Sequence, residues 1–365
     1  MTAERDVPTG RGRVVLPTIV TLLLSAVGGW LAMLLNLPAG WLMGGALAVS
    51  AASLAGVPVA MPDWLRDVAF VLIGMSMGAS VAPDSLQLMA SWPISMAALA
   101  LELVLIVTLT GWMLARVFKL DPGTAYLSSF PGHLSFVMGM AAAGVGQPRQ
   151  IVIIQVIRIL MLTIAVPIGT VFLPIDHLAP VSPGAFLSLW QLLVLAAGCT
   201  VTGMVFLWLK VPAGFVIGAM AAATAAKLGG LYVEAMPPLL TTVTFIITGA
   251  LIGSRFVGIT RAEVLTAAKG GVIATAMTIG IVTVVTYAVS LLVDMPFGQI
   301  WLGLSPGALE GMGALGIALG YDTAFIAAHH LMRLLLLTLA IPMVVVLIRR
   351  RDLAAVVPQA LDKEI

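Results

Sequence analysis

Along most of this chain the apolar residues neither alternate, as in a half-buried strand, nor gather on one stripe, as in a surface helix. They fill whole runs, all faces alike, between short polar breaks. Runs of roughly 18 to 25 apolar residues are long enough to cross about 30 Å of hydrocarbon as helices. The pattern predicts helices over 14–35, 39–56, 64–81, 92–115 and 150–173, and again over 185–209, 213–231, 239–257, 269–293 and 323–348. Two further apolar segments, 127–145 and 302–320, do not fit a plain crossing. Each carries a Pro-Gly step, in 131-PGHLS-135 and 306-PGALE-310. Proline removes a backbone donor and glycine permits a sharp turn, so each segment is expected to be a hairpin or a broken helix.

The pattern is written twice. The stretch 37-LPAGWLMG-44 returns as 211-VPAGFVIG-218, and Gly74 and Gly78 return as Gly249 and Gly253. From Met61 onward one ungapped offset of 175 pairs Pro62 with Pro237, Pro131 with Pro306, Gly132 with Gly307, Arg158 with Arg333 and Pro167 with Pro342. A constant offset across several helices is the mark of an internal duplication. If the Pro-Gly segments enter and leave on one side, every Lys and Arg outside the membrane except Lys227 falls on a single side. Full crossings would scatter them, against the preference of Lys and Arg for the cytoplasm. Each half then has five crossings, an odd number, and the second is inverted relative to the first. The expectation is an all-α polytopic membrane protein of two inverted repeats of about five transmembrane helices, each with a re-entrant or broken Pro-Gly segment. Its parts would be a cytoplasmic arm 1–13, a first repeat 14–174, an inverted repeat 185–348 and a cytoplasmic tail 349–365.

Composition agrees: 61% of residues are hydrophobic and 9% charged, and the net charge of +2 gives no basic surface for nucleic acid. Arg5, Arg11 and Arg13 precede an apolar run too long for a signal-peptide core, so the first helix is expected to be retained. Cys199 is the sole cysteine and excludes an internal disulfide. His329 and His330 are adjacent and point apart on a helix, and no Cys/His cluster, nucleotide loop or nucleophile elbow accompanies them. Neither an enzyme nor a bound cofactor is expected.

Candidate chemistry lies in the ionisable residues that hydropathy buries: Glu102, His133, Arg158, Glu310, His329, His330 and Arg333. Arg333, about ten residues into its helix, is some 15 Å deep, where an unpaired charge costs about 2.5 to 3.5 kcal/mol. It must therefore face protein or water, with Glu102 or Glu310 as candidate counter-ions. Gln155 and Arg158 are three apart, as are His330 and Arg333, so each pair shares one helix face. Glu310 has the uncharged twin Ser135, which marks it as specialised; it either exchanges a coupling proton or stays ionised as a cation ligand or counter-ion. The predicted site is Pro131, Gly132, His133, Ser135, Gln155, Arg158, Pro306, Gly307, Glu310, His329, His330 and Arg333, with Glu102 as a secondary candidate. Half-helix N-termini and two arginines favour a small organic anion, moved with H+ or Na+. Arg333→Ala is expected to impair transport without loss of folded protein. The GxxxG pairs read as close helix packing and also allow a homodimer.

These motifs, with 327-AAHHLMRLLLLTLAIP-342 and the whole-chain duplication, resemble the bacterial AbrB duplication family of inner-membrane proteins, whose members also carry the names "ammonia monooxygenase" and "AbrB family transcriptional regulator". The likeness covers nearly the whole chain, and the His-His-Leu-x-Arg block is its most specific part. The family pattern has Pro-Gly-Gly-Leu followed by an acid two residues on. Here His133 and Ala308 replace the second Gly, and Phe136 and Gly311 stand at the acidic position. The resemblance implies a multi-pass protein of the bacterial inner membrane, and the distribution of Lys and Arg places both termini in the cytoplasm. Its layout is also similar to inverted-repeat cation antiporters and anion transporters. Two readings follow: a secondary transporter or exporter, or a membrane sensor that affects gene expression through a partner.

Overall fold

The computed structural model describes residues 11–81, 92–132, 137, 140–141, 144–171 and 185–361. Across these it is helical, apart from one isolated bridge between Phe186 and Ala235. The helices are α1 (Arg11–Leu34), α2 (Gly40–Leu54), α3 (Asp63–Ser80), α4 (Trp92–Arg116), α5 (Pro122–Ser129), α6 (Pro148–Val171), α7 (Leu189–Trp208), α8 (Gly214–Leu228), α9 (Pro238–Ser254), α10 (Arg261–Ser290), α11 (Phe297–Leu304), α12 (Leu309–Leu319) and α13 (Thr323–Leu361).

Six of these, α1, α4, α6, α7, α10 and α13, are long and apolar enough to cross a membrane. The other four predicted crossings are shorter or more polar. α2 and α8 have 15 residues and α9 has 17, while α3 carries Asp63, Arg66 and Asp67 in its first two turns. At about 1.5 Å per residue, 15 residues reach only about 22 Å. The hydropathy pattern overran α2 and α8 at both ends, at Ala39 and Ala213, which adopt left-handed φ of 51° and 53°, and past Leu54 and Leu228, where the chain turns through Gly56 (φ 86°) and Gly230 (φ 72°). Two other boundaries also moved. α10 starts at Arg261 instead of 269, because Thr260 and Glu263 form a reciprocal capping box ahead of the apolar run. α13 continues through Arg349 to Leu361, with no Pro or Gly between Met343 and Val357.

The shorter helices are central, and they pack across the duplication. A Cβ at Gly74 would lie 2.3 Å from the Val216 carbonyl oxygen, and one at Gly78 2.5 Å from that of Met220. In the same way a Cβ at Gly249 would lie 2.9 Å from the Leu42 oxygen, and one at Gly253 2.9 Å from that of Ala46. So α3 lies against α8, and α9 against α2, with backbones close enough that only glycine fits. α1 and α7 form the outside, exposing Leu16, Leu23 and Trp30 on one and Leu189, Trp190 and Trp208 on the other. The apolar core runs inward from Leu42, Ile73 and Met77 to Phe130, Leu304, Leu315 and Phe325.

Candidate functional site

Each Pro-Gly motif follows a helix of eight residues. α5 starts under Asp121, whose Oδ1 accepts from the Thr124 N–H at 2.9 Å, with Pro122 in the first turn. It stops at Pro131, because a proline draws the preceding residue into extended backbone and offers no donor. α11 stops likewise at Pro306. The last carbonyls of such a helix have no partner within it and carry the negative end of its dipole.

Two buried arginines supply the missing donors. Arg158 donates to the carbonyls of Ser128 (3.2 Å), Ser129 (3.4 Å) and Phe130 (2.8 Å). Arg333 donates to those of Gly303 (3.0 Å), Leu304 (2.6 Å) and Ser305 (2.8 Å). The second set is the first shifted by the same 175 residues. The helix starts correspond as well. Thr124 Oγ1 accepts from the Gln147 N–H at 2.7 Å, and Gln299 Oε1 accepts from the Asp322 N–H at 3.2 Å. Gly123 touches Gly146, and Gly298 touches Tyr321. The expected counter-ions for the arginines, Glu102 and Glu310, therefore form ion pairs with neither; the guanidinium Nη groups go to backbone carbonyls.

A cavity of about 160 Å³ lies between the two breaks. Pro131, Gly132, Gln155, Arg158, Pro306, Gly307, Glu310, His330 and Arg333 all line it, so nine of the twelve residues predicted for the site are together. Gly132 holds φ at +107°, a conformation that suits glycine. His133 and Ser135 lie outside the described residues. His329 is not in the cavity wall. Its Nδ1 bonds the Phe325 carbonyl at 2.8 Å, its Nε2 bonds Ser95 Oγ at 2.8 Å, and its ring packs on Phe325 with centroids 3.9 Å apart. That environment makes it a link between α13 and α4. Glu102 is fully buried on α4, one turn before a π-helical stretch at Ile106–Thr110, and neither of its oxygens meets a donor among the described residues. Arg333 acts on it electrostatically.

One lining residue was missed. Arg255, at the C-terminus of α9, donates to Glu310 Oε1 at 2.5 Å and is the counter-ion of the candidate acid. Its trace in the sequence is the same as that of Glu310. Arg255 has the uncharged twin Ser80, just as Glu310 has Ser135, so opposite charges stand in one half only. Glu310 sits in the first turn of α12, where a carboxylate is favoured. His330 completes the wall. Its Nδ1 bonds the Ile326 carbonyl at 2.9 Å; its Nε2 is buried without a hydrogen bond among the described residues, facing the Ser305 carbonyl outside bonding geometry. No group of three or more metal-ligating side chains occurs among the described residues.

Comparison with known proteins gives relatives across nearly the whole chain. The family model described as "Transition state regulatory protein AbrB" matches residues 2–75 and 41–349. The chain is 24% identical over 356 residues to "Uncharacterized protein YhjN" of Bacillus subtilis (strain 168), covering 87% of this chain and 90% of the relative. It is 25% identical over 331 residues to "Putative regulator AbrB" of Escherichia coli (strain K12), covering 89% and 93%. No solved structure matches it significantly.

Proposed function

The chain belongs to the AbrB family, and from that premise we propose that it is an ion-coupled secondary transporter of a small, anionic solute, with its site in the cavity between two broken segments. The observation that carries this reading is the shared cavity. Two breaks from separate halves, each held open by an equivalent arginine, face the same space. A packing kink needs no such arrangement, whereas unwound backbone lining a polar cavity is how inverted-repeat transporters build solute and ion sites.

The inverted, re-entrant arrangement draws support from contacts along α6, α10 and α13. The starts of α5 and α6 adjoin through Thr124 and Gln147, and α6 begins beside α10, where Arg149 and Glu263 pair at 2.7 Å. The first broken segment thus opens at the N-terminal end of α10. The second follows the C-terminal end of α10, and α11 begins beside Asp322, to which α12 returns. Its tip, at Ser305, lies three turns along α13 at Arg333. On this reading the two segments enter a bacterial inner membrane from opposite faces, and both termini are cytoplasmic.

In transport, Arg158 and Arg333 hold the breaks while Glu310 and Arg255 provide the exchangeable charge, with H+ or Na+ as coupling ion. Reconstituted in proteoliposomes, the protein should take up a small organic anion in response to an imposed pH or Na+ gradient, and Glu310→Ala should reduce that uptake. The names of the family and of one relative favour a second reading, a membrane sensor acting on gene expression through a partner. A ligand that binds but is never moved, together with a stable cytoplasmic partner, would decide for the sensor.

A further inference from the structure

The polar groups of the cavity differ in how free they are. Arg158 and Arg333 are bound to carbonyls through their Nη atoms and are 4% and 2% exposed, so a ligand can engage those donors only by uncapping α5 or α11. The Arg255–Glu310 pair is different. It joins two separate elements through one contact of 2.5 Å, and its side chains keep 25% and 10% exposure. Beside it lie the first turn of α12, capped by no side chain at Ala308, and the unbonded Nε2 of His330.

We propose that Glu310 is a tethered stand-in for the solute, and that the cavity takes small monocarboxylates, which displace Glu310 from Arg255 and bring one proton with them. This deepens the transport reading and rests on it. The chemistry follows from the pair itself. A guanidinium that holds a side-chain carboxylate can hold a free one in the same way. Once displaced, the Glu310 carboxylate stands in a confined, largely desolvated cavity without its counter-ion, and a proton neutralises it. One carboxylate and one proton enter, one carboxyl forms, and the net charge of the cavity is unchanged. Because an attached competitor acts at millimolar effective concentration or above, Glu310 keeps the site weak and selective for ligands that arrive with a proton.

Isothermal titration of the full chain in nanodiscs, with lactate as probe and lactamide as the neutral control, tests this. Repeating it in buffers of different ionisation enthalpy counts the protons. Lactate should bind with one proton taken up, and lactamide should not bind. Glu310→Gln should bind lactate roughly tenfold more tightly or better, with no proton uptake. Arg255→Ala should not bind; the double variant Arg255→Ala/Glu310→Gln, which leaves no unpaired charge, should fold and also not bind. Failure of both wild type and Glu310→Gln to bind lactate, binding by wild type without proton uptake, or binding by the double variant would overturn the proposal. Lactate that binds with its proton but shows no counterflow in proteoliposomes would refute transport and leave the site standing. Gradient-driven flux of another solute with no carboxylate bound would do the reverse.

Discussion

At the scale of single residues, the arginines and Glu102 make opposite predictions. Each guanidinium donates to three carbonyls at the end of its helix, of which Ser305 also accepts from the Gly307 N–H at 2.9 Å, and a buried polar group left without a partner costs about 1 to 3 kcal/mol. Arg158→Ala and Arg333→Ala should therefore lower the thermal unfolding midpoint in detergent by similar amounts, because their contacts are equivalent. Lysine variants should lose less, keeping the charge but not the planar fork. A large loss for one and none for the other would deny that equivalence. The capping also revises the expectation that Arg333→Ala spares the folded protein: transport and stability should fall together. Glu102 has no hydrogen bond to lose among the described residues, and an unpartnered buried polar group costs about 1 to 3 kcal/mol. Glu102→Leu should raise the midpoint, and a fall would reveal a partner for the carboxyl.

At the scale of elements, the glycine contacts separate sites of close approach from ordinary helix glycines. An added methyl at Gly74 or Gly253 would meet a neighbouring helix backbone at 2.3 or 2.9 Å, whereas one at Gly280 would meet nothing within 4 Å. Gly74→Ala and Gly253→Ala should reduce the yield of monodisperse protein. Gly280→Ala should be neutral or stabilising by up to about 1 kcal/mol, the helix-propensity gain of alanine over glycine. The repeated spacing already announced these glycines in the sequence, though not that each pair packs against the opposite half. What the sequence showed well was whatever leaves a periodic or paired mark: the six long apolar helices and the nine residues that line one cavity. Missed features depend on three-dimensional neighbours. Where α2 and α8 begin and end is set by left-handed backbone at Ala39, Gly56, Ala213 and Gly230, which hydropathy does not register. Arg255 looked like an ordinary basic residue at a helix end, and the role of the arginines depended on which carbonyls came within reach.

At the scale of the whole molecule, sidedness can be tested at described positions. In a Cys199→Ser background, cysteines at Glu234 and Asp294 should react with impermeant reagent from outside the cell, and cysteines at Lys119 and Arg261 only after permeabilisation. Labelling of all four from one side would overturn the inverted arrangement. The duplication is also interleaved. α1, α2, α3, α7, α8 and α9 pack into one group and α4, α6, α10, α11 and α13 into another, each drawing on both halves, so neither group is one of the repeats by itself. Arg255, at the end of α9, ties the first group to α12 through Glu310. The crossing of α3 with α8 bears on synthesis too. α3 is complete at Ser80, but its partner begins at Gly214, about 130 residues later. At roughly 5 to 20 residues per second, α3 waits about 7 to 30 seconds for the helix that packs against Gly74 and Gly78, so its glycine face is completed only after the second half is inserted.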